Sequence, residues 1–197
     1  MAEKVKDRRV RKSQESFKEA FGEMILKVPY QKITITALAK IADLNRKTFY
    51  SHYDTMEDLL RDIEQDYVDQ VQVKLDALDE DDLAGGILAF YEFLNTDDKV
   101  TKTLLYGSDY GDFFKRFVND VMTLPFFEHF CTNEEYRDML PGYFDAVTGI
   151  FLRWRKKSAD EQDKLPELAQ KAANIILGGI SAVTEKDEAV DIDDLVC

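Results

Sequence analysis

Cysteine is nearly absent from this 197-residue chain, and its two thiols, Cys131 and Cys197, stand far apart without metal-like spacing. Neither a disulfide framework nor a zinc site is expected, and a reducing compartment fits. Proline and glycine are scarce, at 4 and 9 residues. Ala, Leu, Glu, Lys and Gln instead recur at helical spacing, which argues against a strand-rich fold and predicts an all-α chain. Nowhere do about 18 apolar residues run together, as a membrane helix requires. No charged n-region followed by an apolar stretch opens the chain, so the expectation is a soluble, cytoplasmic protein. The chain has two histidines, and it contains no Gly-rich phosphate loop, no nucleophile elbow and no spaced metal ligands. His129 and Cys131 stand close together but lack a third ligand. No enzymatic activity, metal or cofactor is expected.

Positive charge is also in deficit, with a net charge of −13. That balance opposes nucleic-acid binding until its distribution is considered. Residues 1–56 hold 12 Lys/Arg against 7 Asp/Glu, a net +5, whereas the remaining 141 hold 14 against 32, a net −18. A basic head precedes an acidic body, although charge also drifts by chance along any chain.

Residues 1–12 (MAEKVKDRRVRK) lack an apolar period and read as a mobile basic arm running into a helix. From Ser13, Phe17, Ala20, Phe21, Met24, Ile25 and Val28 make one stripe of an amphipathic helix, which Pro29 ends. Thr34 stands as an N-cap for a short helix over 34–42 with Ala37, Leu38 and Ile41 inward. Asp43-Leu44-Asn45 then reads as a turn, with Asn45 able to cap a second short helix, RKTFYSHY. Two short helices about three residues apart are the helix-turn-helix pattern. A long helix is expected over 55–78, with Leu59, Leu60, Ile63, Tyr67, Val71, Leu75 and Leu78 on one face. Further helices are expected at about 83–95, 97–106, 110–123, 134–157 and 161–183, broken near Gly107, Pro125, Pro141 and Pro166. The domain reading is a head over 1–56, a helical body over 57–184 and an acidic tail over 185–197, with the parts joined by a helix so that motion of one reaches the other.

The stretch ITALAKIADLNRKTFYSHYDTMEDLL resembles the DNA-binding signature of the TetR/AcrR family, the likeness covering about residues 13–60. It implies a three-helix helix-turn-helix head joined by a long helix to an effector-binding and dimerisation body. It also implies a homodimer on double-stranded operator DNA. In such a head the N-terminal residues of the second short helix meet base edges while flanking groups grip phosphate. Arg46 and Lys47 are long donors suited to guanine O6 and N7, with Arg46 the first choice for base readout. Thr48, Tyr50, Ser51 and His52 match family positions that touch phosphate or thymine methyl groups. Thr36 matches one that reaches the backbone, and Thr34 caps its helix with the positive end toward phosphate. Phe49 and Tyr53 read as core residues packed on Phe17, Phe21 and Leu38. The chain departs from the family pattern at Asp43, where glycine is common, and at Met56, where a phosphate-binding lysine is common. The basic arm at Arg8, Arg9, Arg11 and Lys12 offers compensation for the second.

Residues 83–154 are dense in aromatic side chains. In the family this region surrounds an effector cavity, and a small apolar or aromatic effector suits such a lining. The candidate pocket residues are Phe90, Phe93, Tyr106, Tyr110, Phe114, Phe117, Tyr143 and Phe144, each of which has plain core packing as its competing role. The segment LPELAQKAANIILGGISAV carries an apolar stripe at Leu168, Ala172, Ile175, Ile176 and Ile180, with Gly178 and Gly179 permitting close approach. With FLRWRKK it resembles the family's dimerisation pair. Two functions fit: a repressor released from operator DNA by a small-molecule effector, and a regulator of the same fold without a ligand, controlled by a protein partner on its acidic body.

Overall fold

The computed structural model describes residues 2–130, 140–157 and 164–188. Among them every regular element is helical, as the composition predicts. Ten α-helices follow in order: α1 Ala2–Ile25, α2 Ile35–Ile41, α3 Arg46–Tyr50, α4 Met56–Leu75, α5 Leu83–Leu94, α6 Lys99–Tyr106, α7 Gly111–Met122, α8 Pro125–Glu128, α9 Leu140–Trp154 and α10 Leu165–Glu188. Single 3₁₀ turns occupy Tyr30–Lys32 and Ser108–Tyr110. No described helix is long and apolar enough to cross a membrane. Cys131, the expected helical stretches at 134–139 and 161–163, and residues 189–197 of the acidic tail lie outside the described residues.

Short polar residues begin five of these ten helices by accepting a backbone N–H that would otherwise be orphaned. Thr34 accepts from the Ala37 amide at 3.2 Å, Asn45 from Thr48 at 2.9 Å, Asp82 from Gly85 at 2.9 Å and Asp98 from Thr101 at 2.7 Å. Thr55 and Asp58 cap α4 reciprocally: the Asp58 carboxylate accepts from the Thr55 amide at 2.7 Å, and the Thr55 hydroxyl accepts from the Asp58 amide at 3.2 Å. Proline marks starts rather than breaks, since Pro125, Pro141 and Pro166 all lie at the first or second position of their helices. There the missing N–H costs nothing. The four-residue α8 was not anticipated.

One expectation is corrected at the N-terminus. Residues 2–12, expected as a basic arm running into a helix that begins near Ser13, are already the first turns of α1. Ala, Glu, Lys and Arg are strong helix formers, and a helix already nucleated by the buried stripe from Phe17 onward propagates readily through them.

The chain divides into two compact units, Met1–Gln70 with Thr96–Val118, and Val71–Asn95 with Asn119–Cys197. The first therefore takes in α6 and the beginning of α7 as well as the basic head. Its core is built on Phe17 and Phe21 of α1, Leu38 of α2 and Phe49 of α3, all fully buried. Phe17 and Phe49 meet edge to face at 5.3 Å. Deeper in the unit Tyr67 of α4 packs on Phe113 and shares a hydrogen bond with the Thr101 hydroxyl at 3.0 Å. Lys18 of α1 reaches Asp62 and Asp66 of α4 at 3.1 and 2.6 Å.

In the second unit α5 and α10 form the most extensive pairing. Leu165, Ala169, Ala172, Ala173 and Ile176 are the buried positions among the described residues of α10, and the three alanines allow close approach to α5. Of the apolar stripe expected on this helix, Ala172 and Ile176 are buried, Leu168 is half-buried and Ile175 is 52% exposed, while the Ile180 side chain lies outside the described residues. A cross-link holds α5 to α9, where the Tyr91 hydroxyl donates to the Val147 carbonyl at 2.8 Å and the ring lies 5.0 Å from Phe151. Gly86 is required by packing, because a Cβ there would lie 2.2 Å from the Phe126 ring.

Candidate nucleic-acid interface

Helix α3 has five residues, too few to hold itself together in water. Three local features hold it. Asn45 caps it through its side chain. Phe49, its one buried residue, is clamped between Phe17 and Tyr53 at 5.3 and 5.4 Å. The turn leading into it is set by Asp43, the one non-glycine residue with positive φ (53°) among the described residues.

That turn closes α2 with two bonds, from the Leu44 amide to the Ala39 carbonyl at 2.9 Å and from the Asp43 amide to the Lys40 carbonyl at 3.4 Å. This is the Schellman arrangement, which favours glycine at the left-handed position. Aspartate tolerates that conformation better than most residues. The departure at Asp43 therefore keeps the backbone form that glycine would take.

With Phe49 turned inward, the other α3 side chains are left outside. Arg46, Lys47, Tyr50 and Ser51 are exposed, Thr48 and His52 are half-buried, and Thr34 and Thr36 of the α2 start are exposed. All eight candidate DNA contacts thus belong to the first unit and are accessible. Arg46 rests on Tyr50, with its guanidinium carbon 5.8 Å from the ring centre and Nη2 3.5 Å from the hydroxyl. Such an exposed stack is worth only about 0.5–1 kcal/mol and is readily given up for a base.

Besides Thr34, which caps α2, three of the eight have internal duties as well. The Thr48 hydroxyl lies 3.2 Å from the Asn45 cap oxygen, the Ser51 hydroxyl donates to the Thr48 carbonyl at 2.7 Å, and His52 Nε2 lies 2.7 Å from the Ser13 hydroxyl of α1. His52 is thereby tied to the first helix. Tyr53 is buried, with its hydroxyl donating to Asp62 at 2.5 Å. Burial first, and that bond second, push the phenol far above its ordinary range. Its role is structural, as is that of Phe49.

Along α1, Arg8, Arg9, Arg11 and Lys12 are exposed and add positive charge on a helical frame. Met56, where the family pattern has lysine, is half-buried as the first residue of α4.

Sequence reasoning missed the acidic neighbour of this surface. Gln14, Tyr50, Ser51, His52, Tyr53, Asp54, Asp58 and Asp62 line an open hollow of about 500 Å³. The Asp58 carboxyl is held below its usual range by hydrogen bonds from Thr55, chiefly from the hydroxyl. Asp54 and Asp58 put negative charge beside this surface, whereas Asp62 is paired with Lys18 and accepts from Tyr53. The Thr55-x-x-Asp58 capping spacing was a legible signal for Asp58, whereas Asp62 meets Tyr53 only through folding.

The candidate effector residues are divided between the units: Tyr106, Tyr110, Phe114 and Phe117 belong to the first, and Phe90, Phe93, Tyr143 and Phe144 to the second. Phe90, Phe117 and Phe144 are fully buried, and Phe144 packs on Phe127 at 4.9 Å. Tyr110 is buried too, and its hydroxyl has no hydrogen-bond partner among the described residues. Burial and the Asp109 carboxylate push that hydroxyl up to about 12. Tyr110 also lines a second hollow, about 280 Å³, with Ile25, Val28, Pro29, Thr103 and Asp109. His129 lies 3.0 Å from Asp81. Among the described residues no group of three His, Cys, Asp or Glu could hold a metal ion. Set against known proteins, the chain matches no family model and no curated protein.

Proposed function

We propose that this chain is a DNA-binding transcriptional regulator of the TetR type, with α2 and α3 as its helix-turn-helix and α3 as the recognition helix. One observation carries the reading. The five-residue α3 buries only Phe49, and it presents Arg46, Lys47 and Tyr50 outward from a basic stretch of an otherwise acidic chain. A helix so short and so completely supported by its neighbours serves to display side chains. Arg46 reads base edges, Lys47 and the exposed basic residues of α1 engage phosphate, and Thr34 and Thr36 fix register.

A second copy is part of the proposal, because one short helix reads few base pairs and two copies about 34 Å apart meet successive major-groove faces. Ile175, exposed on α10, gives that partner an apolar side chain to cover. The regulator acts in the cytoplasm as a repressor released by a small apolar or aromatic effector. Control by a protein partner on the acidic body is the second reading, favoured by the tight burial of Phe90, Phe117 and Phe144.

The test enriches genomic DNA fragments on the purified protein and compares wild type, Arg46→Ala and Tyr50→Phe by fluorescence anisotropy. Wild type is expected to prefer the enriched duplex over a scrambled one. Arg46→Ala should lose about 1–3 kcal/mol of that preference, as expected for one base-reading arginine. Equal affinity for both duplexes in wild type would turn the reading toward the protein partner.

A further inference from the structure

Glu57 and Glu64 stand seven residues apart on α4, two turns along one face, and one side chain of α7 spans them. Arg116 donates from Nε to Glu64 at 3.0 Å and from Nη2 to Glu57 at 3.0 Å. The two contacts differ in character: the Glu64 side chain is 3% exposed and that of Glu57 is 46% exposed. A planar guanidinium with donors on two edges can serve two carboxylates at once, which a lysine ammonium does poorly. Glu64 is therefore the anchor of the contact and Glu57 its releasable end.

The releasable end lies where it matters. Glu57 is the second residue of α4, and the five residues 51–55 alone separate that helix from α3. The loop after α1 joins the same cluster. Burial raises the Tyr30 phenol, the Glu57 carboxylate adds to the rise and Arg116 opposes it. The Tyr30 amide donates to Asp109 at 3.4 Å, and its ring lies 5.5 Å from Tyr110.

We propose that Arg116 is a positioning residue for the DNA-reading segment: through Glu57 it pins the first turn of α4, and with it α3, so that α7 sets DNA affinity without touching DNA. This rests on the regulator reading above. It makes the middle of α7 a control point, since a shift of α7 that breaks the Glu57 contact loosens α3 while the Glu64 anchor keeps the helices together. Glu64 is unsuited as the test site, because it is buried and its replacement would remove the anchor together with the releasable contact.

Glu57→Gln and Glu57→Ala separate contact from charge. Both delete the same negative charge, but glutamine retains an amide oxygen that accepts from Nη2 and alanine retains nothing. If charge alone matters, both variants bind the enriched duplex more tightly than wild type, and equally. The latch predicts that Glu57→Ala binds roughly fivefold or more weaker than Glu57→Gln, at an unchanged salt slope because no phosphate contact is lost. Amides of residues 46–60 should also exchange faster in the free alanine variant than in the glutamine one. Equal affinities and equal exchange in the two variants would overturn the latch. Should wild type bind no duplex, the regulator reading falls, and the exchange comparison in the free protein decides the latch on its own.

Discussion

Asp43 is the residue where local conformation and composition disagree most, since an L side chain sits at φ 53° in the turn that aims α3. The left-handed region costs a typical residue about 1–2 kcal/mol, less for aspartate. Asp43→Gly is expected to stabilise the protein by about 0.5–1 kcal/mol in urea unfolding, because relief of that strain outweighs the entropy glycine adds to the unfolded chain. Asp43→Val should destabilise by about 1–2 kcal/mol, and equal midpoints for the two variants would contradict the assignment. The presence of a turn was legible in Asp-Leu-Asn, but its hand was not. Composition marks residues that tolerate a left-handed conformation, and only the Ala39 and Lys40 carbonyls waiting at the end of α2 demand it. Other site features were illegible for the same reason: the His52 to Ser13 contact joins residues 39 apart, and no local pattern encodes it.

At the level of elements, α3 depends on its cap and its clamp. Loss of the cap in Asn45→Ala should cost about 1 kcal/mol. Loss of the clamp in Phe49→Ala should cost about 3–5 kcal/mol, with hydrogen exchange at residues 46–50 rising toward the unprotected rate. Retained protection in Phe49→Ala would show that something else holds the helix. These short helices could be placed from sequence because their caps, Thr34 and Asn45, are themselves short-range signals. The start of α1 is not legible in the apolar stripe, because helix propensity and a nucleated neighbour suffice to extend a helix without one. Prolines marked the right places with the wrong sense, since in the first turn a proline opens a helix. On α10, periodicity located an apolar helix but merged two faces, Ala172 and Ile176 against α5 and Ile175 outward. Ile175 lies about 100° from Ile176 around the helix, at the edge of the stripe, and periodicity alone does not say how wide a face the neighbouring helices cover.

For the whole molecule the proposal is a dimer that concentrates basic charge on DNA from an acidic protein. Charge asymmetry was legible because it needs only counting, with +5 in the first 56 residues and −18 in the rest. How the body is used was not, because aromatic residues serve equally as core and as cavity wall. If the exposed α10 face covers its copy, Ile175→Glu should convert a dimer to a monomer in sedimentation velocity with unchanged helicity by circular dichroism. A wild-type monomer at micromolar concentration would remove the two-copy reading. The DNA claim is tested most directly by a salt titration of wild type and Lys47→Ala on the enriched duplex. A dimer contacting six or more phosphates should lose roughly 10³-fold or more in affinity between 50 and 200 mM salt, with the slope flattened by about one unit for each lysine removed. Binding that is absent at 50 mM, or indifferent to salt and to Lys47, while the protein remains folded would contradict the account.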